Sequence, residues 1–219
     1  GFATLVNSSG QSNTAVGSSA LNSNTTASNN TAVGYYALEA NTTGVENTAV
    51  GMHSLGNNTT AQSNSAVGYA SLVANTTGNY NSALGRHALS SNQTGNRNVG
   101  IGYYSLATNT ASDNTAVGYN SLCKNTTGTY NTALGTLALD ANITTNSNTA
   151  IGYAALGVNV ASNNTAVGTS SLDANTTGTT NVAVGVAALG ANTTASNNTA
   201  VGACALTANT TGAQNTAVG

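Results

Sequence analysis

Small apolar and polar residues alternate along this chain in one short pattern, Asn-Thr-Ala-Val-Gly, which recurs from end to end. Its glycine returns ten times at a spacing of 17 residues and three times at a spacing of 16. These repeat glycines are Gly1, Gly17, Gly34, Gly51, Gly68, Gly85, Gly102, Gly118, Gly135, Gly152, Gly168, Gly185, Gly202 and Gly219. A fixed short period indicates one structural unit per repeat, each stacked on its neighbours.

The apolar positions of each repeat fall into two short clusters. A leucine stands four residues after each repeat glycine from Gly1 to Gly202, and Val, Ile or Leu stands immediately before each one from Gly17 to Gly219. Each cluster is long enough for one brief strand, while Asn, Thr, Ser and Gly favour turns over helix interiors. Two short strands and two turns per repeat predict an all-β fold, a parallel β-solenoid (β-roll) of about 13 coils with 17 residues per coil.

Side-chain alternation along a strand predicts which residues fill the solenoid. We expect the aliphatic residue before the glycine and the invariant leucine to point inward. The predicted core ladder comprises Val16, Leu21, Val33, Leu38, Val50, Leu55, Leu122 and Leu156. The Ala and Gly positions are then expected to form a flat outer face of small residues that packs against another chain, so the fold is expected to be homo-oligomeric.

Stacking also explains why only 4% of the residues are charged. Each side chain lies about 4.8 Å from its copy in the next coil, and like charges at that distance repel. An asparagine amide can instead donate to and accept from its own copy. The sequence therefore predicts an asparagine ladder through Asn41, Asn75, Asn125 and Asn175.

The segment after this asparagine, rich in Thr, absorbs the deletions of two of the shorter repeats and is predicted to be a loop. The asparagine that opens it forms an Asn-x-Thr sequon, and an exposed sequon is a candidate for N-glycosylation. The candidate glycosylation sites are Asn24, Asn41, Asn58, Asn75, Asn125, Asn175, Asn192 and Asn209. The same asparagines are also explained as turn residues and ladder members.

Charge and residue spacing exclude several other functions. A net charge of −2 with three basic residues gives no footprint for nucleic acid, and no apolar run is long enough for membrane insertion. His53 and His87 lie two coils apart without a shared carboxylate or thiol, so they are interpreted as surface residues and no metal is expected. The five carboxylates are scattered, so no catalytic residue, enzyme activity or cofactor is predicted.

Cysteine and tyrosine are the two remaining residue types that could support cross-linking or binding. Cys123 and Cys204 lie five coils apart, about 24 Å along the stack, too far for an intrachain disulfide. They are interpreted as filler thiols, with an interchain bridge as the alternative. The tyrosines that follow repeat glycines, with Phe2 in the same slot, either cover an outer face or form an aromatic row that binds sugars or a partner. This row comprises Tyr35, Tyr69, Tyr103, Tyr119 and Tyr153.

Units such as Asn-Thr-Ala-Val-Gly-Tyr-Tyr-Ala-Leu at 30–38 resemble the head repeats of trimeric autotransporter adhesins, whose Asn-Ser-x-Ala-Ile-Gly units build a left-handed parallel β-roll in a homotrimer. They also resemble the repeat regions of phage tail-fibre-like proteins and bacterial surface proteins. The resemblance covers the whole chain, although this unit is longer than the usual adhesin unit. It implies a left-handed solenoid, a homotrimer and a location outside the cell or on a virion.

These observations support three hypotheses about function. The first is a structural or adhesive shaft, a single repetitive solenoid over 1–219 cut from a longer extracellular fibre, with itself and a cell-surface receptor or glycan as partners. The second is an ice-binding solenoid, although the paired threonines, such as Thr42 and Thr43, fall in the segment that tolerates deletions. The third is a homopolymeric extracellular filament with glycosylated loops.

Overall fold

The computed structural model describes Thr4 and residues 8–219. The chain divides into two compact units, unit 1 (Gly1–Asp113) and unit 2 (Asn114–Gly219). The strands of unit 1 are β1 Thr14–Val16, β2 Thr31–Val33, β3 Thr48–Val50, β4 Ser65–Val67, β5 Ser82–Leu84 and β6 Val99–Ile101. The strands of unit 2 are β7 Thr115–Val117, β8 Thr132–Leu134, β9 Thr149–Ile151, β10 Thr165–Val167, β11 Val182–Val184, β12 Thr199–Val201 and β13 Thr216–Val218.

Within each unit the strands pair in parallel and in chain order. Each residue pairs with its own copy one repeat later, as Ala49 of β3 does with Ala66 of β4. One strand per repeat, stacked in register, is a parallel β-solenoid, so the predicted fold class is confirmed. Left-handedness and homo-oligomerisation remain predictions, as does the single domain over 1–219.

Each described coil contains one strand, not the two that the sequence predicts. The Ala/Ser-Leu cluster lies in a turn because its leucine and the residue before the cluster adopt left-handed backbone conformations, as Leu38 (φ 50°) and Tyr36 (φ 57°) do in the coil that follows Gly34. A strand requires extended backbone, and these residues interrupt it. The turns still stack, since Leu38 N donates to Ser54 O at 3.0 Å in the next coil.

The repeat glycine is required where the strand meets this turn. At Gly68 φ is +130°, a region that only glycine adopts readily. A β-carbon on Gly68 would also lie 2.7 Å from the backbone carbon of Gly85 in the next coil. Backbone conformation and close coil stacking therefore both exclude a side chain at this position.

The core differs from the prediction in one of its two ladders. The predicted core leucines are fully buried: Leu21, Leu38, Leu55, Leu122 and Leu156. The predicted core valines are not, since Val16 is 58% exposed and Val33 and Val50 are half-buried. The central alanine of each strand from β2 to β5 is buried instead, as are its counterparts in β7–β12.

Alanine rather than valine faces the core because the buried leucines leave little space beside the strand. A β-carbon added to Gly100, which takes the alanine position in β6, would lie 3.1 Å from Cγ of Leu89. The centre of the strand therefore faces a leucine at close range and has room for a methyl group only. Val and Ala do lie on opposite faces, as alternation requires, but alanine faces inward and the expected outer face of small residues is wrong.

Candidate functional surfaces and the asparagine core

The asparagine seven residues after each repeat glycine forms the predicted ladder. Asn58 Nδ2 donates to Oδ1 of Asn41 at 2.9 Å, and Asn75 Nδ2 donates to Oδ1 of Asn58 at 2.9 Å. Asn142 and Asn192 make the equivalent bonds to Asn125 (2.9 Å) and Asn175 (3.0 Å). All four predicted ladder residues are buried and take part in amide-to-amide hydrogen bonds.

The ladder has one unpaired atom where a short repeat follows. Oδ1 of Asn92 is buried without a hydrogen-bond partner. In the next coil, which is one residue shorter, Asn109 Nδ2 donates to the carbonyl of Ala111, two residues on. In longer coils the same bond spans three residues, as from Asn41 to Gly44. The deletion thus changes the local turn on which the ladder geometry depends.

A second asparagine ladder precedes the strands. Asn47 Oδ1 accepts from the backbone N–H of Asn64 at 3.0 Å, and its Nδ2 donates to the carbonyl of Ala61 at 2.8 Å. Asn58 Nδ2 donates to the same carbonyl at 3.1 Å. The two ladders therefore meet at this carbonyl, as they do at those of Gly44 and Gly78, and these bonds satisfy polar groups that burial would otherwise make costly. The pattern is broken at Asn198, whose Nδ2 is buried without a partner.

Burial contradicts the expectation that the sequon asparagines are exposed. Seven of the candidate glycosylation sites are no more than 1% exposed: Asn24, Asn41, Asn58, Asn75, Asn125, Asn175 and Asn192. The eighth, Asn209, is half-buried. Glycosylation of a ladder amide would replace one of its N–H donors with a sugar that the interior has no room to hold. The ladder interpretation of these residues therefore fits the fold better than glycosylation.

The first and third residues of each strand form what we call the outer strand face. It carries mainly Thr in the first position and Val, Ile or Leu in the third. In unit 1, Leu84 is 50% exposed and Ile101 is 37% exposed; in unit 2, Leu134 is 46% exposed. With Val67 (37% exposed), Leu84 and Ile101 form an apolar stripe over three successive coils of unit 1, whereas in unit 2 the third strand residues on either side of Leu134, Val117 and Ile151, are half-buried.

Aromatic residues of unit 1 meet on a different surface, formed by the two residues after each repeat glycine. The rings of Tyr36 and His53 stack with centroids 5.2 Å apart and an interplanar angle of 6°, and Tyr35 meets both edge-on. His53 thus packs against tyrosines in a neighbouring coil. The hydrogen bond between Tyr35 and Tyr36, followed by burial, raises the pKa of Tyr35.

A second group, which we call the Arg86 cluster, comprises Tyr69, Arg86, His87, Tyr103 and Tyr104. The Arg86 guanidinium carbon lies 5.5 Å from the Tyr69 ring centroid and 5.7 Å from that of Tyr103. His87 lies 5.2 Å from Tyr69 and 5.0 Å from Tyr104. Burial and then the charge of Arg86 lower the pKa of His87. At pH 7 the cluster's positive charge is therefore that of Arg86.

Sequence reasoning identified the tyrosine row but not this cluster. Phe2 lies outside the described residues. The available signal was the presence of aromatic or histidine residues at two adjacent offsets in nearby repeats, as at Tyr103 and Tyr104. Coil stacking brings residues 17 apart in sequence into contact, so one cation becomes flanked by two rings.

The other two basic residues form ion pairs with carboxylates of the next coil. Arg97 donates to Asp113 through Nε (2.6 Å) and Nη2 (2.9 Å), which lowers the pKa of Asp113. Lys124 donates to Asp140 at 2.9 Å, which raises the pKa of Lys124. Arg97 and Lys124 are thus each neutralised by a carboxylate of the adjacent coil.

Cys123 is held as a thiol. Its Sγ donates to Oδ1 of Asp140 at 3.0 Å, and burial followed by this carboxylate raises its pKa to about 12. Cys204 is exposed, and neither of these cysteines is joined in a disulfide. A protonated thiol is a poor nucleophile and a poor disulfide partner, so Cys123 is a packing residue.

No group of three or more metal-ligand side chains gathers among the described residues. Over the same part of the chain, no helix has the length and apolar character needed to cross a membrane. The fold therefore defines a class, the tandem-repeat β-solenoids, whose chemistry lies in its repeated surfaces. Comparison of the chain with family models, with curated proteins and with solved structures finds no match to any of them.

Proposed function

We propose that this chain is a shaft segment of an extracellular fibre, a structural and adhesive element without catalytic activity. The observation that carries the proposal is the outer strand face of unit 1, where the aliphatic side chains of β4, β5 and β6 are exposed in successive coils. Soluble monomers rarely expose contiguous apolar stripes, and such stripes mark interaction surfaces.

A second copy of the chain is the proposed occupant of this face. The face is uncharged, so two copies can approach without repulsion, and strands of similar Thr and Val pattern present matching spacings of about 4.8 Å between coils. The resemblance to adhesin head repeats supports a homotrimer, and it also supports a location on a cell surface or virion. A rigid stack with few charges suits a spacer that projects from such a surface.

The oligomeric state in solution tests this proposal. We expect light scattering on the purified chain to give a discrete oligomer. Leu84→Lys and Val67→Lys, which put charges on the outer strand face, should shift it towards monomer. Thr60→Lys places the same charge on an exposed loop position and should leave the oligomer intact. A wild-type chain that stays monomeric at high concentration would contradict the proposal.

Ice binding is the second candidate, and the outer strand face again favours it. Thr and Val project outward about 7 Å apart along each strand and about 4.8 Å apart between coils, a regular two-dimensional array. The ordered threonines are those of the strands, such as Thr31 and Thr48, rather than the loop pairs. However, Leu84 and Ile101 are larger than Val and make this surface uneven, which favours the fibre-shaft function over ice binding.

Thermal hysteresis separates the two candidates. An ice-binding chain would depress the freezing point of water below the melting point, and Val50→Lys would abolish that effect. A chain without thermal hysteresis is not an ice-binding protein.

A further inference from the structure

The Arg86 cluster is built from one offset of the repeat. Tyr69, Arg86 and Tyr103 each follow a repeat glycine in three successive coils, so they form a straight row. The two tyrosines lie two coils apart, about 10 Å, and the guanidinium of Arg86 lies between their rings. Tyr69 is 42% exposed and Tyr103 is 39% exposed, so both are open to a ligand.

The charge of Arg86 is not neutralised by an ion pair. Arg97 and Lys124 each have a carboxylate partner, but in the described part of the chain the ion pairs do not include Arg86. Its Nη1 donates to the hydroxyl of Tyr103 at 3.4 Å, a long bond. Guanidinium N–H groups are suited to bind a carboxylate through two parallel hydrogen bonds. The row thus pairs a cation that has no counter-ion with two exposed rings.

We propose that the Arg86 cluster binds an acidic saccharide, with the carboxylate on Arg86 and sugar rings against Tyr69 and Tyr103. The face of an aromatic ring is electronegative and attracts the C–H bonds on the flat side of a sugar. The separation of the two tyrosines matches the length of a disaccharide in an extended polysaccharide. The tyrosine hydroxyls and the ring nitrogens of His87 supply hydrogen bonds for sugar hydroxyls.

Charge favours a saccharide over a nucleic acid as the occupant. Binding to a nucleic acid backbone draws on several cations, each neutralising a phosphate, and this cluster has one. Unit 2 shows that the repeat itself does not require the cluster. The positions that follow its repeat glycines include Thr136, Tyr153 and Thr169, without a cation. The saccharide site would be the ligand-binding part of an adhesive shaft, and in this sense it rests on the proposed function.

Titration of the purified chain with saccharides tests the inference. The probes are a galacturonic acid oligosaccharide, a neutral galactose oligosaccharide of equal length, and sialyllactose, which carries a single terminal acidic sugar. We expect the acidic oligosaccharide to bind and Arg86→Gln to weaken that binding at least about tenfold. Tyr69→Ala should weaken it as well, whereas Tyr153→Ala, at the same offset in unit 2, should have no effect.

Binding of sialyllactose in addition would place the ligand among terminal acidic sugars, and binding of the oligosaccharide alone would place it within acidic polymers; both support the inference. Equal affinity for the neutral oligosaccharide, or unchanged affinity in Arg86→Gln, would overturn it. Light scattering on the same sample keeps the two proposals apart. An oligomer that binds no acidic saccharide refutes the saccharide site alone, and a monomer that binds one refutes the oligomeric shaft alone.

Discussion

The side-chain amide of Asn58 donates to Oδ1 of Asn41, its copy in the preceding coil, at 2.9 Å. Asn58 also donates to the carbonyl of Ala61 and accepts from Asn75. One residue thus links three consecutive coils through side-chain hydrogen bonds alone. In a stack where each coil contacts only its neighbours, such links contribute directly to the cohesion of the solenoid.

Replacement of Asn58 by alanine should therefore destabilise the fold. The variant leaves Oδ1 of Asn41 buried without its donor, at a cost of about 2–3 kcal/mol. Urea denaturation followed by circular dichroism would measure the loss in the free energy of unfolding. Asn57→Ala is the matched control because Asn57 is exposed, and we expect its effect to stay within about 0.5 kcal/mol. Equal effects of the two variants would show that the ladder contributes little.

A β-carbon at the repeat glycine should be far more damaging than one at the strand centre. Gly68→Ala imposes a φ of +130° on alanine and a 2.7 Å approach to Gly85, so we expect a loss of about 3 kcal/mol or more. Gly100→Ala places alanine where most other repeats carry it, with side chains rather than backbone nearby. Its effect should stay within about 1 kcal/mol. Thermal unfolding of both variants would show whether the difference exists.

Thr180 offers a site for stabilisation. It is exposed and β-branched, yet its φ is 59°, a conformation that costs a β-branched residue more free energy than it costs Asn. Asn163 and Asn197 occupy the same offset with φ of 64° and 62°. We expect Thr180→Asn to raise the free energy of unfolding by about 1 kcal/mol and Asn163→Thr to lower it by a similar amount. Changes of the same sign in both variants would refute this explanation.

The two cysteines should differ in reactivity. Because the pKa of Cys123 is about 12, almost none of it is thiolate at pH 8. Maleimide labelling followed by mass spectrometry should therefore modify exposed Cys204 first. In a Cys204→Ser background, Asp140→Asn should speed the labelling of Cys123 because it removes a carboxylate that raises the pKa of the thiol. Faster labelling of Cys123 than of Cys204 in the wild-type chain would contradict this.

The raised pKa of Cys123 also makes the stability of the fold depend on pH. Folding raises the pKa of Cys123 from its ordinary value of 9.0 to about 12, so folding favours the protonated thiol. Its contribution is complete below about pH 9 and is lost as the pH rises towards 12. The unfolding midpoint of Cys123→Ser should therefore fall less over this range than that of the wild-type chain.

The sequence by itself determined the period, the fold class and the chemistry of the ladders. Repeat glycines every 16 or 17 residues, a leucine four residues later and asparagine at fixed offsets suffice for this, because stacking places each residue on its own copy. A buried amide such as Asn75 satisfies its copy in the next coil, whereas a buried charge would repel it.

Only the tertiary structure decided which side of each strand faces inward. Alternation separates Ala49 from Val50 in either orientation, and hydrophobicity alone favours burying valine. The width of the coil reverses that preference, since Leu55 and its copies already fill the interior and leave space for a methyl group. The structure likewise decided that the leucine lies in a turn, that the sequon asparagines are buried, and that Arg86 lies between two tyrosines. The turn depends on backbone angles and the other two on distances between coils, neither of which a pattern along one chain contains.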